Sequence, residues 1–258
     1  MPKTTTAFPA ARLVLESTAS LAVEEASALA PLPGGRFLLA DDERGVLVAS
    51  VDGASEVVRS AQGDKALRDL EGLCLSPDGA LAYALSELGG RISQISLTEK
   101  GRTLKVGTAR HLGSLPRIGK VKNKGWEGLS VLPRQFSRDG KEQLVAVHEG
   151  KPKRVGLFRL PSLETEAILK LHRKARDLLG DLADVAVCPQ TGHFFVLSDE
   201  SRRIAELVCE GEQLSLLGCF DLPLPKREKP EGLAFDGPGT LWVVTDGSSR
   251  LLRLKVTR

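Results

Sequence analysis

The sequence has no apolar run approaching the roughly 18 residues of a membrane-spanning helix, and no N-terminal apolar core of signal-peptide length. Aromatic residues are scarce at 4%, and the formal net charge of +3 is too small to indicate nucleic-acid binding. We therefore expect a cytoplasmic protein without a membrane segment or a nucleic-acid partner, and a monomer. An exported or anchored longer form stays open.

Several catalytic motifs are also missing. No GxSxG, P-loop or GxGxxG pattern occurs, so serine-hydrolase, NTPase and dinucleotide-binding functions have no support. The four cysteines give no clear disulfide pattern. Cys209 and Cys219 flank a hairpin turn near Gly211, and that turn pairs Cys209 with about residue 214. The two thiols would then not face each other, so we expect structural thiols rather than a disulfide.

What the sequence does contain is a repeat. Hydrophobic residues make up 41% of the 258 positions, and 26 Gly and 14 Pro are spread along the chain as turn signals. Each repeat has an apolar run, a Pro/Asp/Gly turn, a second apolar run that ends in an acid, and an alternating third strand. The repeats begin at Ser27, Glu71, Glu127, Ala183 and Glu231, which are 44, 56, 56 and 48 residues apart.

These periods match propeller blades of about 50 residues. The last repeat has only three strands before Arg258, and an unassigned strand, Ala11 to Ser17, precedes the first. That strand can complete the last blade and remove an open sheet edge. The sequence predicts one all-β domain over residues 1–258: a five-bladed β-propeller with four antiparallel strands in each blade, closed by the N-terminal strand. An irregular β-sandwich is the alternative, but it would not explain five matched periods.

Acidic residues recur at two positions that should meet on one face of the propeller. The starts of the first strands carry Glu71, Glu127 and Glu231, each followed by Gly. The ends of the second strands carry Asp42, Glu87, Glu149, Asp199 and Asp246. The second set is equally compatible with acids that simply face water. Three inner carboxylates around a narrow channel repel one another, so either their pKa values rise or a cation neutralises them.

Carboxylate oxygens in this number suit a hard cation such as Ca²⁺ better than Mg²⁺. The Gly after each inner Glu would let backbone approach closely and add carbonyl ligands. We therefore predict a calcium site on this face. Its candidate ligands are Glu71, Glu127, Glu231, Glu87, Glu149 and Asp199.

Basic loops should surround this acidic face and could receive a small anionic ligand or substrate. We assign Lys124, Arg176 and Lys229 to that rim, with Asp42 and Asp246 on the substrate side. Ordinary solvated loops are the alternative. His148, next to Glu149, is the candidate general base beside a metal-bound water, against a plain surface histidine. Trp126, next to Glu127, could stack on a ligand or simply pack in the hub entrance.

At these residues the sequence resembles the SdiA-regulated family of bacterial proteins. The matching stretches are EEASAL (24–29), DLEGL (69–73), NKGWEGL (123–129), DLADV with TGHFFVLSDES (181–201) and KPEGLA (229–234). The resemblance implies a five-bladed propeller with a calcium site and a distant relation to NHL-type six-bladed propellers, some of which are metal-dependent hydrolases. By motif, Glu71, Glu127 and Glu231 carry over as metal-side carboxylates, and Glu25 matches the acid that opens the first motif.

The chain departs from the family pattern in two blades. Ala183 stands where the motif has Ser, and Asp184 and Ala28 stand where it has Gly. Two functions remain in competition. The first is a calcium-dependent hydrolase of an ester, lactone or phosphoester. The second is a non-enzymatic, calcium-stabilised scaffold that binds a small ligand or a protein on the hub face.

Overall fold

The structure is a computed structural model that describes residues 9–21, 23, 25–41, 44–51, 55–56, 67–100, 103–119, 125–247 and 250–258. Within these ranges, regular structure is almost entirely β. Helical structure is confined to short segments, among them a 3-10 turn at Arg134–Phe136 and the helix α1 (Arg173–Leu178). No helix in the described ranges has the length and apolar character needed to cross a bilayer.

The strands follow one another along the chain as an N-terminal strand, β1 (Arg12–Ser20), and five groups. Group 1 comprises β2 (Ala26–Leu32), β3 (Arg36–Asp41), β4 (Gly45–Ser50) and β5 (Ser55–Glu56). Group 2 comprises β6 (Leu70–Leu75), β7 (Leu81–Ser86), β8 (Arg91–Lys100) and β9 (Thr103–Ser114). Group 3 comprises β10 (Trp126–Leu132), β11 (Gln143–His148), β12 (Arg154–Arg159) and β13 (Thr165–Leu171). Group 4 comprises β14 (Asp184–Val187), β15 (Phe194–Ser198), β16 (Arg203–Glu210) and β17 (Gln213–Asp221). Group 5 comprises β18 (Lys229–Phe235), β19 (Thr240–Asp246), β20 (Arg250–Thr257) and β1.

Each group is an antiparallel sheet of neighbouring strands. Groups 3 and 4 are continuous as one eight-stranded sheet, because β13 and β17 make a short parallel contact at Lys170–Leu171 and Gln213–Leu214. The other groups form separate four-stranded sheets. The architecture is therefore all-β and propeller-like, as the sequence predicted.

The first strands of the groups form a ring. These inner strands are β2, β6, β10, β14 and β18, and each contacts the next, with β18 returning to β2. The apolar core follows the same order. Among the described residues, five buried clusters join groups 1 and 2, 2 and 3, 3 and 4, 4 and 5, and 5 and 1. The buried side chains are mostly Leu, Val and Ala, which pack well between twisted sheets.

The N-terminal strand completes group 5. Strand β1 runs antiparallel to β20 from Arg12 opposite Thr257 to Ser20 opposite Arg250. The predicted pairing of this strand with the last group is confirmed. A buried polar cluster supports the same junction: Glu206 accepts hydrogen bonds from the Ala11 backbone N–H at 2.6 Å, from Arg258 at 2.7 Å and from His193 Nδ1 at 2.8 Å.

The cysteines are free thiols. In the hairpin of β16 and β17, Cys209 lies opposite Leu214, which is the register predicted from the Gly211 turn. Burial raises the pKa of Cys209 to about 11, so this thiol is not activated as a nucleophile.

Candidate functional site

The inner strands carry a local irregularity where the acids lie. Glu71 in β6 and Glu231 in β18 are the extra residues of β-bulges, and Ser27 has the same position in β2. In β10 the irregularity falls one residue later, at Gly128. Bulges re-aim side chains and interrupt the regular in-and-out alternation of a strand. They turn this part of the inner strands toward a shared space.

A polar cavity opens at this end of the inner ring. It has a volume of about 240 Å³ and is lined by Glu25, Ser27, Glu71, Glu231 and Asp246. Glu25, Glu71 and Glu231 were predicted as metal ligands and Asp246 as a substrate-side acid. The structure brings these four predicted residues together. Four acids around one small cavity create a strongly negative potential that favours a cation.

Glu127 lies beside this cavity in close contact with a second acid. Its carboxyl group hydrogen-bonds with that of Glu149, and Glu71 and Glu231 are near enough to act on it. Burial is the main cause that raises the pKa of Glu127 to about 10, followed by the negative charges of Glu149, Glu71 and Glu231. At neutral pH, Glu127 is therefore protonated, and its O–H group donates a hydrogen bond to a carboxyl oxygen of Glu149.

The pKa of Glu231 is also raised by burial and neighbouring acids, but by less. Burial raises its pKa to about 7, and the charges of Asp199, Asp246 and Asp181 add to the rise, while Lys229 opposes it. The pKa of Asp199 is also raised, chiefly by burial and then by Asp181. Asp199 and Lys229 therefore lie close to the acids of the cavity. Lys229 is exposed at the start of β18, as a rim residue should be.

The donor set is the one that a hard cation prefers, since the cavity is lined by four carboxyl groups and the Ser27 hydroxyl group. Across the described ranges, however, no three His, Cys, Asp or Glu side chains are already gathered around a single point that could hold a metal ion. The chemistry of the residues fits calcium. The cavity acids would have to draw together on an ion.

Other predicted residues lie outside this cluster. Glu87 follows β7, where its backbone N–H donates to the Asp69 carbonyl at 2.9 Å, and it does not line the cavity. Arg176 is exposed on α1, with its guanidinium 3.4 Å from Asp177. Lys124 and Asp42 lie outside the described residues.

His148 and Trp126 pack against each other away from solvent. They lie opposite each other in the β10–β11 pair, only 2% and 3% exposed, with ring centroids 5.5 Å apart. Trp126 Nε1 donates to the Pro116 carbonyl, and the indole ring also contacts Phe158 edge-on. The interpretation of His148 as a surface histidine is wrong. Trp126 has the packing role rather than a face open to a ligand.

Two acids, one just before group 4 and one at its start, were not assigned a role from the sequence. Asp181 is buried and accepts hydrogen bonds from the Ser198 hydroxyl at 2.5 Å and from the Glu200 backbone N–H at 3.1 Å. Asp184 is 1% exposed and lies on the inner strand β14. Burial raises its pKa well above the usual range, although hydrogen bonds from backbone N–H groups oppose the rise. The replacement of Gly by an acid at this repeat position was the available signal for Asp184.

The glycines that follow the inner acids allow close approach of the strands. A Cβ at Gly72 would lie 2.9 Å from the carbonyl carbon of Gly128, and one at Gly232 would lie 2.9 Å from Ala28 Cα. At Gly128, whose φ is +51°, a Cβ would lie 2.5 Å from Asp184 Cα. A side chain at these positions would force the inner strands apart. The predicted close approach of backbone after each Glu is therefore confirmed for Gly72, Gly128 and Gly232.

The fold and this acidic cavity define an all-β, propeller-type protein with a concentration of carboxyl groups at one end of its inner ring. The chain belongs to the SdiA-regulated family, which it matches over residues 6–249.

Solved structures of propeller type are similar to the chain. One is the PQQ-bound form of aldose sugar dehydrogenase from Streptomyces coelicolor, at 15% identity and a TM-score of 0.61, with 96% of this chain and 99% of that chain covered. Another is glutaminyl cyclase from Myxococcus xanthus, at 15% identity and a TM-score of 0.61, with 95% and 97% covered. At these identities the similarity shows the fold alone.

Proposed function

We propose that this protein is a five-bladed β-propeller that binds calcium in the acidic cavity and there hydrolyses a small anionic ester, lactone or phosphoester. The number of blades is supported by the five strand groups, the ring of five inner strands and the cyclic order of the buried clusters. Each strand group then corresponds to one blade of four strands.

The observation that carries calcium binding is the contact between Glu127 and Glu149 beside Glu71 and Glu231. Buried carboxyl groups that face one another are unfavourable unless a proton or a cation lies between them. A divalent cation would replace the proton that Glu127 holds and neutralise the neighbouring charges. Calcium accepts six to eight oxygen ligands in flexible arrangements, so it suits carboxylates from several strands better than magnesium does.

Glu71, Glu127, Glu149 and Glu231 would hold the ion, with Glu25 on the cavity wall. Bound calcium would supply Lewis-acid polarisation of a carbonyl or phosphoryl oxygen and would favour ionisation of water. Lys229 would attract the negative charge of the substrate toward the acidic cavity. Asp246, on the cavity wall, would accept a hydrogen bond from a substrate hydroxyl group or from water.

A scaffold without catalytic activity is the second candidate, and one observation favours it. Both ring nitrogens of His148 are buried and have no hydrogen-bond partner among the described residues. An imidazole enclosed in this way, with Trp126 against its ring, does not reach a substrate in the cavity. The hydrolase must then rely on a carboxylate as its base, whereas a scaffold needs none.

Calcium binding is tested by titration calorimetry on metal-free protein. We expect binding to the wild type and a loss of at least tenfold in affinity in Glu127→Gln, which removes a ligand. Glu212→Gln is the matched control, because it makes the same side-chain change at an exposed position in the β16–β17 turn, outside the acidic cavity. Absence of calcium binding to the wild type would refute the proposal.

Hydrolysis is tested on a panel of esters, lactones and phosphoesters with and without calcium. The hydrolase predicts activity that requires calcium, falls by orders of magnitude in Glu127→Gln, and shows mainly a higher KM in Lys229→Ala. If calcium binds but the whole panel is silent, the scaffold is the better assignment. Activity that survives both chelation and Glu127→Gln would place the chemistry elsewhere.

A further inference from the structure

The inner strands meet at one level of the ring, which we call the waist and define by Ala28, Gly72, Gly128, Asp184 and Gly232. On one side of the waist lies the acidic cavity. On the other lies an apolar cavity of about 300 Å³, lined by residues that include Leu29, Leu73, Leu129, Ala186 and Leu233. Four positions of the waist carry Gly or Ala, so the strands approach closely there. Asp184 is the one member of the waist with a polar side chain.

The Asp184 carboxylate connects three inner strands. Its Oδ2 accepts a hydrogen bond from the Leu233 backbone N–H of β18 at 2.6 Å, and its Oδ1 accepts one from Val185 of β14 at 2.7 Å. It also accepts a hydrogen bond from the Leu129 backbone N–H of β10. Because this site is buried, water does not compete for these hydrogen bonds, and the low local dielectric strengthens them.

Two of these three donors lie at the same separation along the chain from a candidate calcium ligand. Leu129 is the second residue after Glu127, and Leu233 is the second residue after Glu231. The intervening Gly residues have no side chain to restrain the backbone, and both strands have a bulge here. Without a restraint at Leu129 and Leu233, the bulged backbone that carries the two glutamates would have more conformational freedom than a regular strand.

We infer that Asp184 is a positioning residue, which fixes β10 and β18 at Leu129 and Leu233 and so sets the distance between Glu127 and Glu231 at the acidic cavity. The inference rests on the proposed function, because it takes these two glutamates as calcium ligands. Asp184 itself does not line the cavity, and it would not be a ligand of the ion.

The test compares Asp184→Asn with Glu206→Gln. Asparagine keeps the size of the side chain but places an NH₂ group against a backbone N–H, so at least one of the three hydrogen bonds is lost. Glu206 is the matched control, because it is also a fully buried acid with three donors, but it lies at the junction of the chain ends. Both changes destabilise the protein. Only the change at Asp184 should alter calcium binding.

Calorimetry with calcium should show an affinity at least tenfold lower in Asp184→Asn, or about 1.4 kcal/mol. The affinity of Glu206→Gln should stay within twofold of the wild type. If the affinity of Asp184→Asn also stays within twofold, Asp184 does not position the ligands and the inference is overturned. Asp184→Gly, which gives the waist another small residue, serves where the Asn variant does not fold, with the same expectation.

Hydrogen exchange separates this inference from the proposed function. In metal-free protein, the amides of Leu129 and Leu233 should exchange in Asp184→Asn at least tenfold faster than that variant's loss of global stability accounts for, whereas in Glu206→Gln any faster exchange should match the loss of global stability. If the wild type binds no calcium, the proposed function fails. The hydrogen-exchange result then decides on its own whether Asp184 holds β10 and β18. Unchanged exchange at both amides would overturn the inference whatever calcium does.

Discussion

Replacing Glu127 with Gln should stabilise the metal-free protein, although it removes a proposed ligand. In the unfolded chain at pH 7 this residue is ionised, whereas in the fold, where burial raises its pKa to about 10, it is protonated. Taking up that proton costs the folded state about 1.36 kcal/mol for each pH unit above the ordinary pKa of 4.5, or about 3.4 kcal/mol at pH 7. Glutamine is neutral in both states and avoids this cost.

The gain in stability from Glu127→Gln should increase as the pH rises. A carboxyl group whose pKa is raised on folding binds more protons in the folded state, so its contribution to stability falls as pH rises from 4.5 toward 10. At pH 5, the uptake of the proton by Glu127 costs the folded state only about 0.7 kcal/mol. The advantage of Glu127→Gln should therefore grow by about 2–3 kcal/mol between pH 5 and pH 7. Because the Gln amide must replace the O–H donor to Glu149, these values are upper limits.

Denaturant unfolding of metal-free protein, followed by the fluorescence of the two tryptophans, measures this difference. Glu212→Gln should show no such pH dependence, because Glu212 is exposed. Saturating calcium should reverse the order of stability, since the wild type binds the ion and the variant has lost a ligand. An equal gain for Glu127→Gln at pH 5 and pH 7 would refute the reasoning, because it would mean that Glu127 is not a buried, protonated acid.

Three further predictions concern the ion and the chain ends. Calcium at a hundredfold excess over its Kd should add about 2.7 kcal/mol to wild-type stability, and Glu71→Gln or Glu231→Gln should blunt this gain in thermal melts. Deletion of residues 1–17, which removes most of β1, should lower the Tm by about 10 °C or more, and an unchanged Tm would show that β1 does not support group 5. Glu206→Gln should cost about 3–5 kcal/mol at pH 7, because it removes the buried carboxylate that faces the Arg258 guanidinium. Hydrogen bonds hold the pKa of Glu206 below its usual range despite burial, so this cost should shrink as the pH falls below 4.5, which acid unfolding curves would show.

The positions of the strands could be predicted from the repeat because turns and apolar runs are local signals. The predicted repeat starts at Ser27, Glu71, Glu127, Ala183 and Glu231 fall within two residues of the observed starts of β2, β6, β10, β14 and β18. Completion of group 5 by β1 followed from counting strands. The clustering of the acids followed from the direction of antiparallel strands, which places the start of one strand beside the end of the next.

Side-chain directions were harder to predict than strand positions. His148 ends a strand in which every residue is buried, so its sequence has no alternation that could show which neighbour it faces. The bulges at Glu71 and Glu231 depend on contacts between strands distant in sequence, which no local pattern specifies. The role of Asp184 also depends on contacts between distant strands, since two of its donors, Leu129 and Leu233, lie 55 residues before it and 49 residues after it.

The waist affects how ions, water and substrate reach and leave the acidic cavity. The inner strands approach one another closely at Gly72, Gly128 and Gly232, at the level that separates the acidic cavity from the apolar one. Where no solute passes this level, an ion enters the acidic cavity from its open side, and the water that it displaces leaves by the same route. A hydrolase with its site there would take up substrate and release product through one opening. Competitive inhibition by an anionic product is therefore the kinetic behaviour that this geometry favours.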